Sequence, residues 1–270
     1  MTATVTYADH ASQSGNWYCA KERKQIDKVM GSKGKLVSPS LAHARKEGWY
    51  PGITTILRES SAPALERWKI KQAILSALTL PRQGDESDDD YLDRVLEDSE
   101  ATAATAAQEG TSIHAAVQEM FLSGKLTEKR HAGKVEAALR CLETCCGDQA
   151  WQSEVVAICP LGYATKVDLC SPSWIIDWKT KEGDEAALLA LATYDSHWKQ
   201  LAAGHRALGQ MIGPLEECRA AIGYISRTHD AAVLIEVPQE KLSIGLAMFD
   251  CNLTHWKLRT GYDPSTGVSR

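Results

Sequence analysis

Two periods organise the apolar residues along this chain. Segments 151–159, 163–169 and 174–180 are dense in β-branched and aromatic residues, and Ser171-Pro172-Ser173 separates the last two, so three strands are predicted with a turn at Pro172. Segments 219–226 and 232–237 have the same texture around Thr228-His229-Asp230 and predict two more. Elsewhere the spacing is helical. Helices are expected from Thr54 or Thr55, as caps, to about Thr79, then from Asp90 to Leu122, Lys129 to Cys146, Glu185 to Ile212 and Glu240 to Leu258. In the 185–212 segment Leu188, Leu191, Tyr194, Trp198, Leu201, Leu208 and Ile212 form the stripe meant for the sheet, which leaves Gln200 on a face with His197 and Gly204. The order helices, strands, helix, strands, helix predicts an α/β fold. Residues 1–148 are expected to form a mainly helical N-terminal region, 149–260 the sheet-bearing core, and 261–270 a polar, flexible tail. Residues 1–50 are polar and glycine-punctuated, and their pattern determines little.

Within the strand pair, the charged residues stand out. Residues two apart on a strand share a face, so Asp177 and Lys179 project the same way. A hairpin folded about Pro172 sets Asp168 opposite Asp177, with Cβ atoms about 4.5–5.5 Å apart. The default for such residues is a solvated face with a weak ion pair. Ile175, Ile176 and Trp178, however, make the strand apolar on both faces, as a covered central strand is. Two carboxylates this close repel, and burial raises their pKa values. A hard divalent cation removes both costs, because Mg²⁺ is held by one or two carboxylates plus water and phosphate oxygens.

Composition changes the picture little. The chain has 270 residues, 44% hydrophobic and 24% charged, and no apolar run approaches a membrane span. Its start lacks a basic segment followed by an apolar one, so a cytoplasmic protein is expected. A net charge of −5 counts modestly against a nucleic-acid binder, but its distribution is uneven. Residues 20–71 carry a basic excess, from Lys21 and Arg23 to Lys69 and Lys71, that could line a DNA channel, whereas 85–100 is strongly acidic. The eight cysteines contain no Cys-x-x-Cys pair, and free thiols are expected.

The hairpin also resembles a family. Gly162-Tyr-Ala-Thr-Lys-Val-Asp168, followed by Ile-Ile-Asp177-Trp-Lys179-Thr, is similar to the core of PD-(D/E)xK nucleases, nearest to the RecB-like and phage-type exonucleases. Val167 replaces the proline of the nominal motif, and Thr165 stands where a glycine is common. The stretch Gly110-Thr-Ser-Ile-His114 resembles the family's Gly-x-x-x-His signature, with the glycine allowing close backbone approach. The resemblance implies a restriction-endonuclease-like core, a central mixed sheet flanked by helices, with a helical N-terminal extension. It implies Mg²⁺ or Mn²⁺ bound by Asp168, Asp177, the backbone carbonyl of Trp178 and His114, although a lone helical histidine is by default a core residue. It also assigns catalytic places to Lys179, to Gln200 and to Glu154 in the first strand, where a solvent-facing edge glutamate is the competing reading. The family's tyrosine four residues after the glutamine is absent, since Gly204 stands there. No late cysteine triplet is present, so no iron–sulfur cluster is expected.

The implied reaction is hydrolysis of DNA phosphodiesters. The metal polarises phosphate and acidifies a water, while Lys179 positions or deprotonates that water and offsets transition-state charge. DNA is the implied partner, with a single-strand-annealing or recombination protein as a further one, in phage or bacterial DNA processing. Three readings stay open beside the exonuclease: an endonuclease on the same fold, a non-catalytic DNA-binding or assembly protein, and an unrelated cysteine-metal protein.

Overall fold

A computed structural model describes residues 15–31, 33–58, 60, 63–214, 216–266 and 268–269. Short strands open the chain: β1 (Trp17–Cys19), β2 (Lys24–Ile26), β3 (Val29–Met30) and β4 (Leu36–Val37). Helix α1 (Leu41–Glu47), β5 (Tyr50–Pro51) and the helices α2 (Ile53–Leu57), α3 (Pro63–Thr79), α4 (Asp88–Ser123) and α5 (Ala132–Cys146) follow. The sheet strands are β6 (Gln152–Cys159), β7 (Tyr163–Ser171) and β8 (Trp174–Lys181), then β9 (Arg219–Ser226) and β10 (Ala232–Val237) after helices α6 (Glu185–Leu189) and α7 (Asp195–Leu208). Helix α8 (Gln239–Thr260) and a small pair, β11 (Tyr262–Asp263) and β12 (Val268–Ser269), end it.

The principal sheet is mixed, in the order β10-β9-β8-β7-β6, with β8 and β9 parallel and the other neighbours antiparallel. A parallel neighbour needs a crossover, and α6 and α7 supply it. Both faces are covered. On one, Val167, Ile175, Ile222 and Tyr224 pack with Leu201 and Ala202 of α7 and Phe249 and Leu253 of α8. On the other, Leu169, Ile176, Trp178 and Ala221 pack with Ile113 and Val117 of α4 and Val135 and Leu142 of α5. The α/β class expected from element order is what the chain adopts. Among the described residues, no helix is long and apolar enough to cross a membrane.

The described residues of the N-terminal region lie mainly in the helices α1–α5, and those before α2 add the short strands β1–β5 and one short helix. The region is not a separate extension, since Trp17, Leu41 and Ile53 share the core that contains Tyr163 and Trp256. Gly52 bridges Ala164, which ties this segment to the sheet. Neither Thr54 nor Thr55 caps α2; Gly52 does, and Thr55 Oγ1 instead accepts from Asn16 N at 2.8 Å. The long helix expected over 185–212 is two. Asp184 caps α6, accepting from Ala187 N at 2.9 Å, and α7 restarts at Tyr194, whose N–H donates to His197 Nδ1 at 3.3 Å. Tyr194, placed on the core stripe by periodicity, is therefore exposed. The expected flexible tail begins differently as well, since Tyr262 is buried and donates to the carbonyls of Ala44 and Trp49 at 3.0 and 2.9 Å.

Close helix packing sets where α7 lies. A Cβ on Gly245 of α8 would come within 2.6 Å of the Trp198 backbone, so the two helices touch there without side chains between them. Arg206 of α7 adds a forked pair to Asp250 of α8 at 2.6 and 3.1 Å. Gly245→Ala is expected to lower unfolding free energy by about 1–3 kcal/mol, as overpacking does. Urea denaturation checks this; an unchanged midpoint would show that the helices separate freely.

Candidate active site

A break in the pleat between β6, β7 and β8 builds the site. Strict alternation would put Val167 and Leu169 on one face, yet Val167 packs beside Ile175 and Leu169 beside Ile176, on opposite faces. The phase slips at Asp168. The β7–β8 ladder runs through Ser171↔Trp174, Cys170↔Ile175 and Leu169↔Ile176 and stops there. Its next step would set Asp168 opposite Asp177, as the hairpin pattern predicts. Instead of a ladder carbonyl, the Asp168 carboxylate takes the Trp178 N–H, Oδ2 accepting at 2.8 Å. Because both polar groups of a strand residue face the same neighbour, the Trp178 carbonyl looks toward this gap.

On the other side, β6 pairs Ser153 with Leu169 and Val155 with Val167, so Glu154 stands opposite Asp168. Glu154 has φ 57°, a left-handed backbone that costs a non-glycine residue about 1–3 kcal/mol and recurs at functional sites. Glu154, Asp168 and Asp177 thus lie in one row across three adjacent strands. Lys166, exposed on β7, forms an ion pair with Glu154.

Asp177 is buried and both its oxygens are engaged. Oδ1 accepts from Gln200 Nε2 at 2.6 Å, and Oδ2 faces Lys179 Nζ at 2.7 Å. Lys179 Nζ also donates to Gln200 Oε1 at 3.3 Å, closing an Asp–Lys–Gln ring between β8 and α7. Gln200, singled out for lying off the apolar stripe, is what joins α7 to the charged row. Gly204 belongs to packing rather than chemistry. A Cβ there would sit 3.2 Å from Ile175 Cδ1, so any side chain at this position needs Ile175 to shift by a few tenths of an ångström.

Helix α4 brings His114 to the row from the opposite face, with Nδ1 3.9 Å from Asp168 Oδ2. The approach requires Gly110, one turn earlier: a Cβ there would meet Thr180 Oγ1 of β8 at 2.6 Å. All seven residues marked by sequence, Glu154, Asp168, Asp177, Trp178, Lys179, Gln200 and His114, are therefore brought together. Two neighbours were missed. Lys166, two residues before Asp168, was legible by spacing. Tyr18 of β1 was not, since only tertiary folding buries its phenol beside Glu154, Asp168 and the Lys166 backbone, where burial and Glu154 push its pKa up.

The electrostatics follow from crowding. Burial, then Asp177, pushes the Asp168 carboxyl up to about 7, against the pull of Lys179 and the Trp178 N–H. Burial opposes charge on Lys179, but Asp177 and Asp168 outweigh it and hold the ammonium above the usual lysine range. Burial lowers His114, leaving a neutral imidazole, and with Lys179 it takes His197 down to about 4.

The donor set suits a hard cation. Two carboxylates, a strand-edge carbonyl and a neutral imidazole face one gap, and positive charge there would relieve the repulsion that raises Asp168. Among the described residues, no group of three His, Cys, Asp or Glu side chains closes around an ion unaided. Such an ion would keep water or substrate oxygens. All eight cysteines are free thiols, with Cys159, Cys170 and Cys218 buried. The basic residues of 20–71 are divided, Lys21, Arg23 and Lys24 lying at the β1–β2 turn and Arg67, Lys69 and Lys71 on α3. A scan of protein-family models gives no match to this chain, and no match is found among curated proteins.

The raised Asp168 pKa has a stability consequence with a defined sign. Between about pH 4, the ordinary carboxyl range, and about 7, the folded state holds a proton that the unfolded state releases. Stability from this group is therefore present below pH 4 and lost as pH rises to 7. In chelator-treated protein, the Tm of Asp168→Asn relative to the natural chain is expected to rise from pH 5 to pH 8. A gap independent of pH would show that Asp168 titrates normally.

Proposed function

We propose that this chain is a divalent-metal-dependent deoxyribonuclease with a restriction-endonuclease-like core, acting on DNA ends as an exonuclease. The observation that carries this reading is the row of Glu154, Asp168 and Asp177 across three strands of an apolar sheet, with Lys179 two residues beyond Asp177 and held by it. A covered strand has no structural need for opposed carboxylates, and unpaired buried charge costs several kcal/mol.

Mg²⁺ or Mn²⁺ bound there supplies Lewis acidity toward a phosphodiester and a water made acidic. The protein's own parts divide the remaining work. Asp168 and Asp177 are the anionic ligands, the Trp178 carbonyl and His114 are placed to add to them, and the Trp178 N–H fixes the Asp168 carboxylate. Gln200 orients Asp177 by donating from its amide N–H and Lys179 by accepting at its amide oxygen. Lys179, kept charged by its carboxylate neighbours, donates toward the phosphate and offsets the charge that develops there. Lys166 restrains Glu154 at the exposed rim of the row. Cellular DNA processing in phage or bacterial recombination, within the cytoplasm, is the setting this chemistry suits.

End-labelled linear duplex, single strand and closed circle, incubated in parallel with Mg²⁺, test the reading. Linear DNA is expected to shorten from its ends while circles persist; equal cutting of circles would make the protein an endonuclease. Lys179→Ala and Asp177→Ala are each expected to lower the rate about 10²-fold or more while the fold is retained. Undiminished activity in either folded variant would refute the site.

A further inference from the structure

Helix α3 is packed inside out. Against α4 it turns small and polar residues, with Ser76 buried and Gln72, Ala73 and Ala77 half-buried. Its bulky apolar residues face away: Ile70 is 61% exposed, Ile74 54%, Leu75 53% and Leu78 77%. Ile70, Ile74 and Leu78 recur every four residues, so they form one continuous stripe along the outer face. Helix α4 also exposes two leucines four apart in its first half, Leu92 and Leu96. Together α3 and the first half of α4 make an antiparallel arm, and the second half of α4 returns to the sheet and carries His114. Bulky apolar residues exposed in one contiguous row, unlike scattered single ones, mark an interaction surface.

Charge along the arm identifies what covers it. The N-terminal half of α3 carries Arg67, Lys69 and Lys71 against one acid, Glu66, and of these Arg67 and Lys71 are exposed beside the stripe. The far end, where the arm turns into α4, is acidic, with Asp85, Asp88, Asp89, Asp90 and Asp93. An antiparallel pair of such arms sets basic end on acidic end twice, around a two-fold axis near Ile74, whereas a parallel pair sets like on like. A surface whose charge is complementary to itself after a half-turn is what an isologous dimer requires. A nucleic-acid occupant fits worse, because the acidic end would repel it.

We infer that the outer face of the α3–α4 arm, built on Ile70, Ile74 and Leu78, is a homodimer interface in which a second copy packs antiparallel. The dimer is independent of the nuclease reading, since none of these residues belongs to the carboxylate row.

Sedimentation equilibrium of the full chain tests it. A dimer is expected at micromolar concentration, weakening as salt rises. Ile74→Glu with Leu78→Glu is expected to raise the dimer Kd by about 30-fold or more, as loss of central contacts does. Both positions are exposed, so circular dichroism should be unchanged. Arg67→Glu with Lys71→Glu, and separately Asp85→Lys with Asp89→Lys, should each weaken self-association, and mixing the two variants should restore a dimer. A monomeric natural chain, or a dimer indifferent to these changes, would overturn the inference.

Discussion

Two carboxylates held opposite one another in an apolar sheet are the constraint on which this structure turns. Burial disfavours charge on Asp168 and repulsion from Asp177 adds to that cost, which appears as an Asp168 carboxyl raised to about 7. Three features offset it. The backbone donates to Asp168 through Trp178, Gln200 donates to one oxygen of Asp177, and the Lys179 ammonium faces the other. Each depends on local disorder in the strand pattern: the β7–β8 ladder must stop after Leu169↔Ile176, and Glu154 must hold a left-handed backbone opposite. A regular continuation of the ladder would still oppose Asp168 and Asp177 but would give the Trp178 N–H to a backbone carbonyl instead of the Asp168 carboxylate.

The helices are arranged around that irregularity by contact distance. Gly110 lets α4 meet Thr180, Gly204 lets α7 rest on Ile175, and Gly245 lets α8 rest on the backbone of α7. With these gaps closed, His114 arrives from one face of the sheet and Gln200 from the other, and both reach the same row. Gly204 then has a packing reason where the resemblance would place a tyrosine. Helix α4 also links two parts of the molecule. Its 36 residues run from the acidic end of the arm to the edge of the charged gap, so a partner covering the arm would lie on the same rigid element as His114.

Much of this architecture was legible along the chain because its signals are local. Runs dense in β-branched and aromatic residues marked the five sheet strands, Pro172 marked the hairpin turn, and a one-to-one register about that turn set Asp168 against Asp177. Spacing alone put Asp177 and Lys179 on one face, and it placed Gln200 off the apolar stripe of α7. Where reading failed, the deciding interactions were distant. The 185–212 segment keeps a helical period throughout, but the chain leaves the helix after Leu189 and restarts it at Tyr194, where it crosses from β8 to β9. The glycine-punctuated N-terminus contains too little periodicity to reveal that Trp17 and Tyr18 enter the core.

What the sequence determined by itself is an α/β chain with a carboxylate–lysine hairpin, because strand period and turn position depend only on near neighbours. Tertiary structure alone decided that the pleat slips at Asp168, that Glu154 completes the row and that Tyr18 closes over it. It also decided that α3 faces outward with its apolar side, which periodicity could not orient. Those outcomes depend on which surfaces meet across long separations in sequence, and packing distances rather than residue order determine them.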